Sequence, residues 1–226
     1  VGNVVDPVDL AERFGIDALR FYLLHGIPTG RDGEFTLEQL VEHCNTHLAN
    51  DLGNLASRTV TMVHKYFGGQ GPEHWEPACI QDASARAAFD ALLQAADEAS
   101  DLVPSHFEDL AVHEALAAAW RPVQRANEFI ERVKPWTLAK DPARKNELST
   151  ALAALLETLR LVAIWAWPAI PGKSAELWSL LALPGKPGEI RDDEARPAFG
   201  AGQFSGRTLG EVKSLFPRIE LQSAAS

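Results

Sequence analysis

Trp136 stands in the run Lys134-Pro135-Trp136-Thr137-Leu138-Ala139-Lys140. Well upstream, Asp51-Leu52-Gly53-Asn54-Leu55-Ala56-Ser57-Arg58 sets a carboxamide and a guanidinium four residues apart. An indole stacks a base, a carboxamide reads a base edge with both a donor and an acceptor, and a guanidinium holds a phosphate. Unpaired RNA bases are recognised with that set of parts. On a helix, Asn54 and Arg58 share one face, and Trp136 comes from just past the end of another helix, across the groove. Lys134, Lys140, Arg144 and Lys145 cluster along the chain around Trp136 as candidate contacts to an RNA backbone. Plainer readings compete. A Trp behind a helix-ending Pro is commonly core, Asn and Arg at this spacing commonly a solvated face or a tie between helices, and lysines at helix ends favour the macrodipole.

Other chemistry is thinner. His43 and His47 have the spacing of a helical metal pair, with Cys44 beside them, but no third or fourth ligand is evident nearby in the chain, so no metal site is assigned. Asp97, Glu98, Asp101, Glu108 and Asp109 read as a solvated face, since no nucleophile or base lies close by. Gly68-Gly69-Gln70-Gly71 follows no strand and is no phosphate loop. There is no Gly-x-Ser-x-Gly element. No catalytic residue is assigned.

The elements that must position these groups read as helices. Asp6 with Pro7 starts a short helix that Gly15 ends, and Asp17 is the expected cap of a second over 18–24, closed by Gly26 and Pro28. Arg31-Asp32-Gly33-Glu34 is turn chemistry. Thr36 with Gln39 forms a capping box before a long helix over 37–66, whose apolar residues recur at three and four until Gly68-Gly69. A surface loop over 70–80 leads to an alanine-rich helix over 82–102 that Pro104 is expected to break. The next helix covers 110–133, with a kink expected at Pro122 and an end at Pro135. Leu148, Leu152, Leu155, Leu159, Val162 and Ala166 then mark a bundle seam, and 173–181 a last short helix. Trp120, Trp165, Trp167 and Trp178 fall at helical positions and read as packing. The expected fold is all-α, an antiparallel helix bundle over 36–183. A short helical lead-in (1–35) precedes it, and an irregular C-terminal arm (184–226), whose stretch 209–219 docks back, follows it.

Bulk properties bound the function. The 226 residues are 46% hydrophobic and carry a net charge of −10, which argues against sequence-blind binding of DNA or RNA through many phosphates. Recognition must then rest on a few well-placed groups. No run of about eighteen uncharged apolar residues suggests a membrane span, and the two cysteines, Cys44 and Cys79, suit a reducing cytoplasmic setting.

Gly2-Asn3-Val4-Val5-Asp6-Pro7 followed by Gly15-Ile16-Asp17-Ala18-Leu19-Arg20 resembles the segment after the KMSKS loop of class I aminoacyl-tRNA synthetases. Asp32-Gly33-Glu34-Phe35, the Asn50-to-Arg58 block, the Lys134-to-Lys140 block and Leu215-Phe216-Pro217-Arg218-Ile219 resemble methionyl-tRNA synthetase, four blocks in that family's order. The resemblance implies that the helical bundle reads the CAU anticodon of methionine tRNA. It implies that Trp136 stacks on the first anticodon base, that Asn54 and Arg58 flank it, and that Pro135 fixes the ring. It also implies a whole enzyme, methionine–tRNA ligase, using ATP with Mg2+, and zinc where the cysteine-rich insertion is present. Its catalytic domain would lie before Val1, so that this chain alone holds no cofactor and is inactive. A neighbouring class I synthetase, or a helical module that binds protein partners without RNA, remains an alternative.

Overall fold

The computed structural model describes residues 6–28, 30, 35–191, 194–211 and 214–220. Among these the chain is helical and has no strand, only two isolated bridges, Gln70 to Thr208 and Gly71 to Ser205. The turn expected at 31–34 and the family-like residues 1–5 lie outside the described residues.

Helix α1 spans Pro7–Phe14 and starts as expected, with the Asp6 carboxylate accepting from the Val8 amide at 2.8 Å and Gly15 ending it at φ 88°. Helix α2 spans Ile16–Phe21 and continues as a wider i→i+5 turn over Tyr22–Gly26. Asp17 does not cap its own helix. It is buried, and its carboxylate accepts at 2.6 Å from the amide of Lys173, at the start of α9 (Pro171–Leu180). A carboxylate belongs at an N-terminus that leaves amides unpaired, and the one it serves is distant in sequence.

The long helix over residues 37–67 has three parts. Helix α3, Leu37–His43, is capped by the Thr36 hydroxyl at 3.1 Å from the Gln39 amide. The reciprocal half of the expected capping box is absent, because the Gln39 side chain accepts from the Tyr22 hydroxyl instead. A wide stretch, Cys44–Gly53, follows, and then α4, Asn54–Phe67, which Gly68 ends in the left-handed region. The wide stretch buries Cys44, Leu48 and Leu52 at successive steps of four. Two of its carbonyls take bonds from α6 (Val112–Val133): Trp120 Nε1 donates to His47 O at 3.2 Å, and Asn127 Nδ2 to Asp51 O at 3.1 Å.

Helix α5 spans Ala83–Glu108, capped by Asp82, and runs through Pro104 rather than breaking there. A proline costs one ladder bond, but Val103 beside it is buried and Phe107 packs on the core, so packing carries the helix one turn further. Helix α6 packs back along α5 and holds Pro122 in its interior. Helix α7 is the four-residue turn Pro135–Leu138, and α8 spans Lys145–Trp165.

Helix α8 carries the expected seam, but it is buried nearly all round, including Thr150, Glu157, Thr158 and Arg160. By length and composition the stretch Pro142–Trp165 would qualify to cross a membrane; here 94% of its most apolar 18 residues are buried, in the bundle's central helix. The arm closes over it. Arg160 donates to both Glu157 carboxylate oxygens at 2.7 and 2.9 Å and to the carbonyls of Glu194 and Arg196 at 3.1 and 2.8 Å. Glu157 in turn accepts from the Ala198 amide at 2.8 Å. The stretch 184–206 was expected to stay off the core, yet Phe204 is buried, and Leu209, Leu215 and Phe216 dock back as expected. Lead-in, bundle and arm share one hydrophobic core.

Candidate nucleic-acid interface

Lys134 ends α6 with φ 48° and ψ 68°, its amide donating to Ile130 O at 3.0 Å. That left-handed residue turns the chain so that Pro135 starts α7, a favourable place for a residue without an amide hydrogen. Pro135 and Leu138 are buried, and between these anchors Trp136 stands 38% exposed. The other tryptophans expected to pack do so: Trp120, Trp165 and Trp178 are buried and Trp167 is partly so.

Helix α4 begins at Asn54. The Asn54 carboxamide is exposed and has no protein partner among the described residues. One turn on, the Arg58 guanidinium lies 5.9 Å from the centre of the Trp136 ring. It also donates to the Glu131 carboxylate at 2.7 Å, with the arginine side chain 30% and the glutamate 60% exposed. From spacing alone Arg58 is either a cation for a phosphate or a tie between helices. The structure brings it to the expected place but engaged on one side by a carboxylate and on the other by the indole. Glu131 carried no signal by itself, because only the packing of α4 on α6 puts it opposite Arg58.

The basic residues separate. Lys134 and Lys140 are exposed and without an ion pair among the described residues. Arg144 has a protein partner. It grips Glu147 through two hydrogen bonds of 2.7 Å, and that bonding raises its pKa against burial. Lys145 opens onto a different depression, lined by Phe67, Gln70, His74 and Asn146.

The histidine pair also changes. His25, from the wide turn after α2, supplies the third imidazole that the local sequence lacked, and ligand nitrogens of His25, His43 and His47 lie within 4.8 Å of one another. Burial, reinforced by the neighbouring imidazoles, lowers the pKa of His25 to about 3 and of His43 to about 4. Both are neutral rings near pH 7. Cys44 is turned away, its thiol donating to Ala18 O at 3.4 Å, and burial pushes it up to about 12.

Comparison with known proteins follows the same lines. Residues 1–60 match the family model described as tRNA synthetases class I (M). The chain is 40% identical over 223 residues to the methionine–tRNA ligase of Clostridium perfringens, covering 98% of this chain and 32% of that protein. It is 37% identical over 222 residues to that of Bacillus subtilis, with the same coverage. The chain thus spans about a third of the length of the curated relatives it matches. Among solved structures, free methionyl-tRNA synthetase from Mycobacterium tuberculosis superposes with a TM-score of 0.82 at 33% identity, covering 97% of this chain and 42% of that one. The same enzyme bound by methionyl-adenylate gives 0.80 at 35%, covering 96% and 40%.

Proposed function

The chain belongs to the methionyl-tRNA synthetase family, matching its C-terminal part, and from that premise we propose that it serves as the helical RNA-reading part of a methionine–tRNA ligase and recognises the CAU anticodon of methionine tRNA. One observation carries the reading: an indole left 38% exposed between two buried anchors, with a guanidinium 5.9 Å from its ring and an exposed carboxamide one helical turn before that guanidinium. The first anticodon base stacks on the open face of Trp136, Asn54 reads its edge, and Arg58 holds the neighbouring backbone. Lys134 and Lys140 add phosphate contacts. Stacking supplies affinity and tolerates any base; hydrogen bonds to the Watson–Crick edge supply identity. Pro135 and Trp136 carry no reacting group. Activation of methionine with ATP and Mg2+ falls to the catalytic part, which the family places elsewhere in the enzyme. A cytoplasmic setting and the absence of a membrane or DNA partner belong to the same reading.

The test is a titration of the chain with an anticodon stem-loop bearing CAU and with one whose first anticodon base is changed. Trp136→Ala is expected to weaken CAU binding by about 1–3 kcal/mol. Asn54→Ala is expected to narrow the gap between the two stem-loops more than it lowers affinity. Unchanged CAU binding by Trp136→Ala would favour a helical module for protein partners and retire the RNA reading of this surface.

A further inference from the structure

Away from the Trp136 surface, three imidazoles converge where the lead-in meets the long helix. His25 comes from the wide turn after α2, His43 from the end of α3, and His47 from the stretch after it. One ring nitrogen of each lies within 4.8 Å of the others, and His25 Nδ1 is 2.8 Å from His43 Nε2. We propose that His25, His43 and His47 form a binding site for a divalent transition-metal ion of the zinc type, with a fourth, solvent-facing position for water.

The geometry suits it. Zinc–imidazole bonds of about 2.0–2.1 Å in a tetrahedral site place ligand nitrogens roughly 3.3 Å apart, so ring tilts of a few tenths of an ångström to about an ångström bring these three into range. The ring of His25 is already held, stacked on Phe21 with centroids 4.8 Å apart. His47 Nδ1 faces the Asp51 carboxylate at 3.3 Å. An N–H donated there fixes the tautomer and leaves Nε2 with the lone pair, the carboxylate–histidine arrangement that supports metal ligands.

The present His25–His43 hydrogen bond holds one N–H between the two rings. Binding an ion moves that hydrogen to the ring's other nitrogen through solvent, so a tautomer changes and no net proton is released. Both rings are neutral near pH 7, so only that hydrogen has to move. The open side has room: a cavity of about 420 Å³ bordered by Tyr22, Gln39, Glu42 and Thr46 reaches His43 and His47. Three imidazoles without a thiolate select the zinc, cobalt or nickel class over soft monovalent copper. The ion would join residues 25, 43 and 47 and so tie the lead-in to the long helix.

The experiment uses the chain without a histidine tag, stripped by chelator and titrated with Co2+ and then Zn2+. One equivalent of Co2+ is expected to bind with the strong visible absorption of a four-coordinate ion. Zn2+ is expected to bleach that band and to raise the melting temperature with concentration. His25→Asn and His43→Asn should each lower affinity by more than the roughly tenfold that a supporting group costs. Circular dichroism of the metal-free variants separates loss of the site from loss of the fold. Should either fail to fold, His47→Gln leaves the His25–His43 bond in place and makes the same test. Absence of any band or thermal shift at millimolar metal would overturn the site, as would a band that survives loss of each histidine.

Discussion

Arg58 has two partners before any ligand arrives, and this sets what its substitution does. Its pair with Glu131 is partly exposed, so it contributes at most about 1 kcal/mol. On the proposed reading, Arg58→Ala lowers stem-loop affinity and reduces the slope of log affinity against log salt by about one. Glu131→Gln does the opposite to affinity, raising it by up to about 1 kcal/mol with little effect on folding; a salt series on both variants checks this. His25 and His43 give a second residue-scale prediction, for metal-free protein in chelator. Their pKa values fall from 6.5 unfolded to about 3 and about 4 folded. Between pH 6.5 and 4 the unfolded chain therefore binds more protons than the folded one. Stability contributed by the neutral rings is complete above pH 6.5 and is lost as pH falls through this window. Urea midpoints across it should drop less steeply in His43→Gln. At this scale the sequence offered Trp136, Asn54 and Arg58 as candidates but hid Glu131 and His25. Spacing within a helix can be read from the chain, whereas partners that meet only through packing cannot.

The elements were legible where local chemistry decides them. Asp6 and Thr36 cap as their side chains require, and Gly15 and Gly68 end helices at positive φ. The reading failed where tertiary contacts override propensity: at Pro104, which packing carries inside α5, at Asp17, which serves α9, and at the wide stretch Cys44–Gly53, whose carbonyls α6 satisfies. The turn that presents Trp136 supplies a prediction. Lys134 holds φ 48°, a region costly to any residue with a Cβ. Lys134→Gly is expected to leave stability unchanged or raise it by up to about 1 kcal/mol. Gln124→Gly, in the exposed middle of α6, is expected to lose about that much. Thermal or urea unfolding of the pair decides it.

As a whole, the molecule is one core sealed by its C-terminal arm, and the seal is polar. Arg160 and Glu157, 4% and 2% exposed, join α8 to the backbone of residues 194–198. Removing one member leaves the other charged and buried. Arg160→Ala is therefore expected to cost about 3–5 kcal/mol, lowering the melting temperature on the order of 10 °C and exposing the arm to protease. Replacing both Glu157→Gln and Arg160→Met should recover much of the loss. The arm's composition of Pro, Gly and charge concealed this role, since Arg160 and Glu157 look like an ordinary i,i+3 surface pair until the chain is folded over them.

The bond between Arg58 and Glu131 also bears on how the protein behaves in a crowd. Heparin, duplex DNA and stacked RNA all offer negative charge, but none brings a splayed base to the indole. Such polymers meet a latch already closed, on a chain of net charge −10, and leave quickly. On the proposed reading, a loop that fills the ring face and replaces the carboxylate together is expected to stay longer. On that reading, discrimination would lie in residence time, and the acidic body would filter out idle occupancy.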